Sequence, residues 1–279
     1  MEVEGEDKLC LSAKEIVLAN VDWDCQVKTF FRNENAGCKK AVSEAISWFF
    51  THVEQGIILE DDCLPHPSFF PFAEEMLEKY KDDEDIIAVN GCNYGFNYRS
   101  SSYFFSRYMN AWGWATWRRV ANKIKYKIPN WNKEKKVSFL RSRLKKQTID
   151  LDVNWFQYWT NIFDMLSTGE LDTWDYYWLY HQFLYKKKNI MAAKNLIKNI
   201  GFSSNATHTT LLSHPASNLP MHELIFPLIH PVNKKINKQF EEEILKPVCY
   251  MYTSKPNSFY YKNRILQLAR FLFIKGQKK

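Results

Sequence analysis

The sequence predicts an α/β fold with a mostly parallel central sheet flanked by helices. Two observations carry this. Short apolar runs at Gly56–Leu59 (GIIL) and Asp85–Asn90 (DIIAVN) are long enough for buried strands and too short for helices. Between and before them, Cys38–His52 and Phe69–Lys81 place apolar residues at helical spacing. Strand and helix in alternation predict a parallel sheet.

The elements follow in order. The first 20 residues are polar and weakly patterned. Gln26–Phe31 (QVKTFF) predicts a short strand, and Arg32–Gly37 (RNENAG) a turn. Cys38–His52 sets Ala41, Ala45, Ile46, Trp48 and Phe49 along one helix. Gly56–Leu59 is a strand bounded by acids. Phe69–Lys81 is a helix with Ser68 as its N-cap. After Gly91 the texture changes. Tyr103–Phe105 and Ile190–Ala193 suggest short strands, while Trp114–Asn122, Trp131–Ser167 and Trp174–Lys187 suggest helices. The expected division is a main domain over 1–235, with a helical insertion near 120–170, and a basic helical tail over 236–279.

Composition narrows the class. Hydrophobic residues are 46% and charged residues 25%, which excludes a wholly disordered, collagen-like or coiled-coil chain. Aromatic residues at 16% are the unusual feature. The net charge of +7 is concentrated: Arg118 to Lys146 holds twelve basic residues and one acid, Glu134. Such a block suits phosphate, a membrane surface or nucleic acid, or is a solvated basic helix. The six cysteines form no CxxC pair, which removes zinc-ribbon and thioredoxin readings and suggests reduced cytosolic thiols. No secretory signal or membrane-spanning run is visible, so the expected location is cytoplasmic.

Four motifs carry candidate chemistry. Gly56–Asp62 (GIILEDD) ends a strand in Glu60, Asp61 and Asp62. Three adjacent acids repel one another unless a cation compensates, and hard oxygen ligands suit Mg²⁺ or Mn²⁺. A strand end that simply leads into the next helix is the alternative. Thr173–Trp178 (TWDYYW) places Asp175 among rings, where partial desolvation strengthens a base and flat faces suit sugar C–H groups; alternatively it is a helix N-terminus over core rings. Ala111–Arg119 (AWGWATWRR) surrounds Gly113 with Trp112, Trp114 and Trp117, a set equally compatible with core packing. Asn199–His208 (NIGFSSNATH) is a loop whose His208 could reach a metal or phosphate, or be a solvated surface residue.

The four motifs in this order, over about Asp22–Pro231, resemble the bacterial glycosyltransferases grouped with hemolytic-protein-like nucleotide-diphospho-sugar transferases. They are more distantly similar to eukaryotic N-acetylglucosaminyltransferase I. The resemblance implies a GT-A fold lacking the usual first β-α-β unit. It implies an inverting, Mn²⁺- or Mg²⁺-dependent transferase using a nucleotide-diphosphate sugar, a UDP-sugar first among them. The acceptor would be a glycan or lipid-linked saccharide, as in polysaccharide biosynthesis. Position by position, Asp62 would be the metal ligand, Asp61 would contact the donor's ribose or sugar, and Glu60 would hold sugar hydroxyls. Asp175 would be the general base. Lys39 would lie near the nucleotide. Gly113 and Trp114 would line the donor sugar, Trp174 beside the base would also bind substrate, and His208 would sit in the closing loop.

Other readings stay open. A truncated relic would bind nucleotide or sugar without transfer. A nucleic-acid binder would use the basic block but leaves the acids at the strand end unexplained, so no nucleic-acid partner is expected. Arg264–Lys279 forms a basic amphipathic stretch that would either rest on anionic lipid at the inner membrane face or pack on its own domain.

Overall fold

The computed structural model describes residues 6–128, 131, 153–202 and 219–242. The chain divides into two compact units, Met1–Asn35 and Ala36–Lys279.

In the first unit, helix α1 spans Glu6–Ala19. The weak apolar pattern concealed it. It contains no Gly or Pro and is rich in Leu, Lys, Glu and Ala, residues of high helix propensity. Asn20 stops it: its backbone N–H and its side-chain Nδ2 both donate to the Ile16 carbonyl, at 3.2 and 2.7 Å. The strand expected at Gln26–Phe31 is not formed. Lys14 Nζ sits 5.1 Å from the Phe31 ring and the Arg32 guanidinium 4.7 Å from that of Phe30. Without a neighbouring strand to extend, an apolar pattern alone does not make a strand.

The second unit is a mixed α/β structure. Helix α2 (Cys38–His52) leads into β1 (Gln55–Ile58), β2 (Cys63–Pro65), α3 (Phe69–Lys79) and β3 (Ile86–Asn90). Next come β4 (Tyr103–Ser106), β5 (Trp114–Trp117) and the single turn α4 (Arg118–Ala121). Helices α5 (Val153–Thr168) and α6 (Asp175–Tyr185) precede β6 (Lys188–Ala192), β7 (Ile197–Asn199) and the short α7 (Lys238–Phe240).

Five strands form one sheet in the order β1-β5-β3-β6-β4, and β2 pairs with β7 in a second, two-stranded one. Only β3 and β6 run parallel; the other neighbours in the five-stranded sheet are antiparallel. The expected mostly parallel sheet is thus corrected to a mostly antiparallel mixed one. The cause is β5. Trp114–Asn122 was expected to be a helix, yet Trp114–Trp117 is a strand lying antiparallel between β1 and β3. Aromatic and β-branched residues fit a pleated surface covered on both faces, and all four residues of β5 are buried. Thr116 Oγ1 also donates to the Ile87 carbonyl at 2.6 Å, satisfying a hydroxyl that has no access to water.

The core lies between the sheet and its helices. Ile46 and Phe50 of α2, Phe69, Phe72 and Met76 of α3, and all of β3 and β4 are buried. Each large apolar side chain so buried stabilises the fold by about 1.5–3 kcal/mol. Ser68 occupies the N-cap position of α3 without capping it; its hydroxyl instead pairs with His66 Nδ1 and accepts from the Leu224 N–H. Residues beyond 235 close the far edge: Ile236 bridges Phe105, and Glu241 forms a buried ion pair with Arg107. Residues 132–152, which carry most of the basic block, and 264–279 lie outside the described residues. No helix among the described residues is long and apolar enough to cross a membrane.

Candidate functional site

Strand β1 is the sheet's edge, and its sequence places the acids. Gly56 lets it lie against α2, since a Cβ there would stand 2.4 Å from the Phe49 ring. The strand ends at Ile58. The chain then turns, with the Cys63 N–H donating to the Glu60 carbonyl at 3.0 Å, before β2 begins. Glu60, Asp61 and Asp62 therefore occupy the turn between β1 and β2. Glu60 and Asp62 are half-buried, and Asp61 is exposed.

Asp62 is held by the end of β7. Asn199 Nδ2 donates to its Oδ2 at 2.9 Å, and the Ile200 N–H donates to its carbonyl at 2.8 Å. The Cys63 thiol donates to its Oδ1 at 3.4 Å. Gly201 completes the cradle. Its N–H donates to Asn199 Oδ1 at 2.8 Å, and a Cβ on it would stand 2.4 Å from Asp62 Oδ2. Only glycine lets the backbone approach this carboxylate so closely.

Glu60 takes a different partner. Trp174 Nε1 donates to its Oε1 at 3.2 Å. Burial pushes the Glu60 carboxyl up to about 7; the Trp174 bond opposes this, and the charges of Asp62, Asp175 and Asp61 add to the rise. Those couplings place Asp175 within the electrostatic reach of the same turn. Asp175 opens α6, where the helix dipole favours a negative charge, and Thr173 Oγ1 donates to its Oδ1.

The tryptophans have a different place from the one expected. Trp114 and Trp174 stack with centroids 5.6 Å apart, and Trp178 meets Trp114 edge-on at 4.8 Å. All three are buried, and the stack reaches the acids through the Trp174 bond to Glu60. Gly113 is likewise buried. It has φ +61°, and a Cβ there would stand 2.3 Å from Ile197 Cδ1. Lys39 sends its Nζ over the Tyr177 ring, 4.8 Å from the centroid, so its side chain joins α2 to α6. His208 lies outside the described residues.

Several members were not singled out in the sequence. Asn199 and Gly201 open the loop chosen for His208, so a signal was present there. Cys63 directly follows the acids and was visible only as a scattered thiol. Asp172 gave no local signal; its partners are the Cys38 and Lys39 amides, more than a hundred positions away. Burial raises the Cys38 thiol pKa, and the charges of Glu60, Asp172 and Asp175 raise it further.

Ligand atoms of Glu60, Asp62 and Cys63 lie within 4.8 Å of one another. Burial and the neighbouring Asp62 raise the Cys63 thiol pKa, which favours the two carboxylates over the thiol as donors. The oxygen donors of Glu60 and Asp62 are of the kind a hard divalent cation such as Mg²⁺ or Mn²⁺ takes. A separate cavity of about 450 Å³, bounded by Gln55, Glu74, Glu75, Glu78, Lys79 and His230, lies toward the opposite end of β1. The chain matches no protein-family model and shows no significant similarity to a curated protein.

Proposed function

We propose that the protein is a glycosyltransferase that moves a sugar from a nucleotide-diphosphate donor to a hydroxyl of a glycan or lipid-linked saccharide. One observation carries this reading: the acidic turn after β1 and Asp175 at the start of α6 share one electrostatic site, linked through Trp174 and Glu60. Two carboxylate functions are what such a transfer requires, one set to manage the diphosphate's charge and one to accept a proton.

Asp62 and Glu60 would hold a divalent cation. When bound, it would supply Lewis-acid charge that stabilises the departing diphosphate. The chain's own residues do the rest. Asn199 and Gly201 fix Asp62 against β7. Thr173 orients the Asp175 carboxylate. Asp175 takes the proton of the acceptor hydroxyl as that oxygen bonds to the anomeric carbon and the bond from carbon to diphosphate oxygen breaks. The nucleoside diphosphate leaves with the bonding pair, and the sugar inverts because attack comes from the opposite face. Asp61, which is exposed, would contact the donor's ribose or sugar.

Turnover of UDP-sugars with Mn²⁺ tests the reading, comparing the wild type with Asp62→Ala and Asp175→Asn. Each variant should lose about a hundred- to thousand-fold in rate, the scale of losing one charge-stabilising group. Transfer at wild-type rates in both would refute it.

A further inference from the structure

The N-terminal N–H groups of a helix have no partner within the helix. Helix α2 begins after Gly37, which has no side chain to cap it. A distant carboxylate does the work. Asp172 Oδ2 accepts from the Cys38 N–H at 2.9 Å, and Oδ1 accepts from the Lys39 N–H at 3.1 Å. Gly37 has φ +74°, and a Cβ there would stand 2.8 Å from Asp172 Oδ2, so a larger residue would push the carboxylate away.

Asp172 opens a run in which each residue makes a different attachment. Thr173 bonds the Asp175 carboxylate, and Trp174 bonds Glu60. Upstream, Gly169 has φ +81°, and nothing lies within 4 Å of where its Cβ would be. Asp172 is thus a fixed point between an unpacked glycine and Asp175. Lys39 adds a second tie from α2, this one to α6 through the Tyr177 ring.

We propose that Asp172 is a positioning residue: by capping α2 across the fold, it pins the segment 172–175 and sets where Asp175 stands over the acidic turn. The role in turnover rests on reading Asp175 as the base. The pinning itself does not, and it is measured without turnover.

The experiment uses the full chain labelled with ¹⁵N-tryptophan, the Trp174 indole signal being assigned with Trp174→Phe. Hydrogen exchange at the Cys38 and Lys39 amides is followed in parallel. Asp172→Ala should speed exchange at both amides at least about tenfold, since each loses its acceptor. It should also shift the Trp174 indole resonance, because that N–H bonds Glu60 only while the segment is held. Asp172→Asn keeps one acceptor oxygen and should restore part of both signals; it also serves if the alanine variant unfolds. Faster amide exchange with an unmoved Trp174 resonance would mean a cap without positioning and would overturn the proposal. So would unchanged amide exchange. In an active protein, Asp172→Ala should lower kcat about 10- to 100-fold with donor KM within about twofold, as expected for a misplaced base. Unchanged kcat overturns the proposal. A wild type that transfers nothing refutes the glycosyltransferase reading alone, and the resonance and exchange data then still decide what Asp172 does.

Discussion

Strands β1 and β5 are hydrogen-bonded neighbours, with Ile58 opposite Trp114. Yet the residues they deliver meet opposite fates. Just beyond β1, Glu60 and Asp62 sit half-buried among other negative charges. In β5, Trp114 and Trp117 are sealed inside the fold. The aromatic side lowers the free energy of folding; the acidic side raises it, since carboxylates removed from water near like charges are destabilised. The difference teaches where stability ends and chemistry begins. The indole stack meets the acids at one point, the Trp174 bond to Glu60.

Three perturbations would break or sharpen that contrast. The largest belongs to the stack. Trp114→Ala should destabilise the protein by about 3–5 kcal/mol in urea denaturation, through lost burial and a cavity beneath Trp174. A loss below about 1 kcal/mol would mean that the stack supports little.

Gly113→Ala comes next. Its positive φ costs a residue with a Cβ about 1–2 kcal/mol, and Ile197 already fills the space. Together these predict a loss of about 2–3 kcal/mol. In an Ile197→Ala background, itself destabilised by the lost core side chain, Gly113→Ala should cost less than in the wild type, because the overlap is gone and only the backbone strain remains. No added cost in that background would show that the left-handed conformation costs nothing here.

The smallest effect tests the acidic side. The Glu60 carboxyl is raised from 4.5 to about 7, so the folded protein holds this proton more tightly than the unfolded chain. The associated stability is fully present below about pH 4.5 and is lost as pH rises through about 7. Without divalent ions, Glu60→Gln should therefore stabilise the protein by about 1–2 kcal/mol near pH 8 and hardly at all near pH 5. Added Mn²⁺ should raise the wild type's Tm most at the higher pH, where the carboxylate is ionised. A Glu60→Gln effect independent of pH would remove the electrostatic account of this turn.

Local pattern was legible wherever an element is defined by its own residues. Helices α2, α3 and α6 and strands β1, β3, β4 and β6 fall close to their expected positions, because apolar spacing and flanking turn residues determine them. The acids after β1 and Asp175 at a helix start were visible for the same reason. The failures also have causes. Trp-Ala-Thr-Trp fits either a helix or a buried strand by periodicity alone, and the gap between β1 and β3 selected the strand. The stretch 26–31 had the pattern of a strand but joins no sheet among the described residues.

By itself, then, the sequence determined which residues are chemically capable: a run of acids at a strand tip, a carboxylate opening a helix, a glycine between indoles. Tertiary structure alone decided which of them meet. It placed Trp174 on Glu60, Asn199 on Asp62 and Asp172 on the amides of α2, and it directed Trp114 into the core. The physical reason is range. Periodicity and propensity act within a few residues, whereas these contacts join positions more than a hundred apart and exist only once the sheet has chosen its strand order.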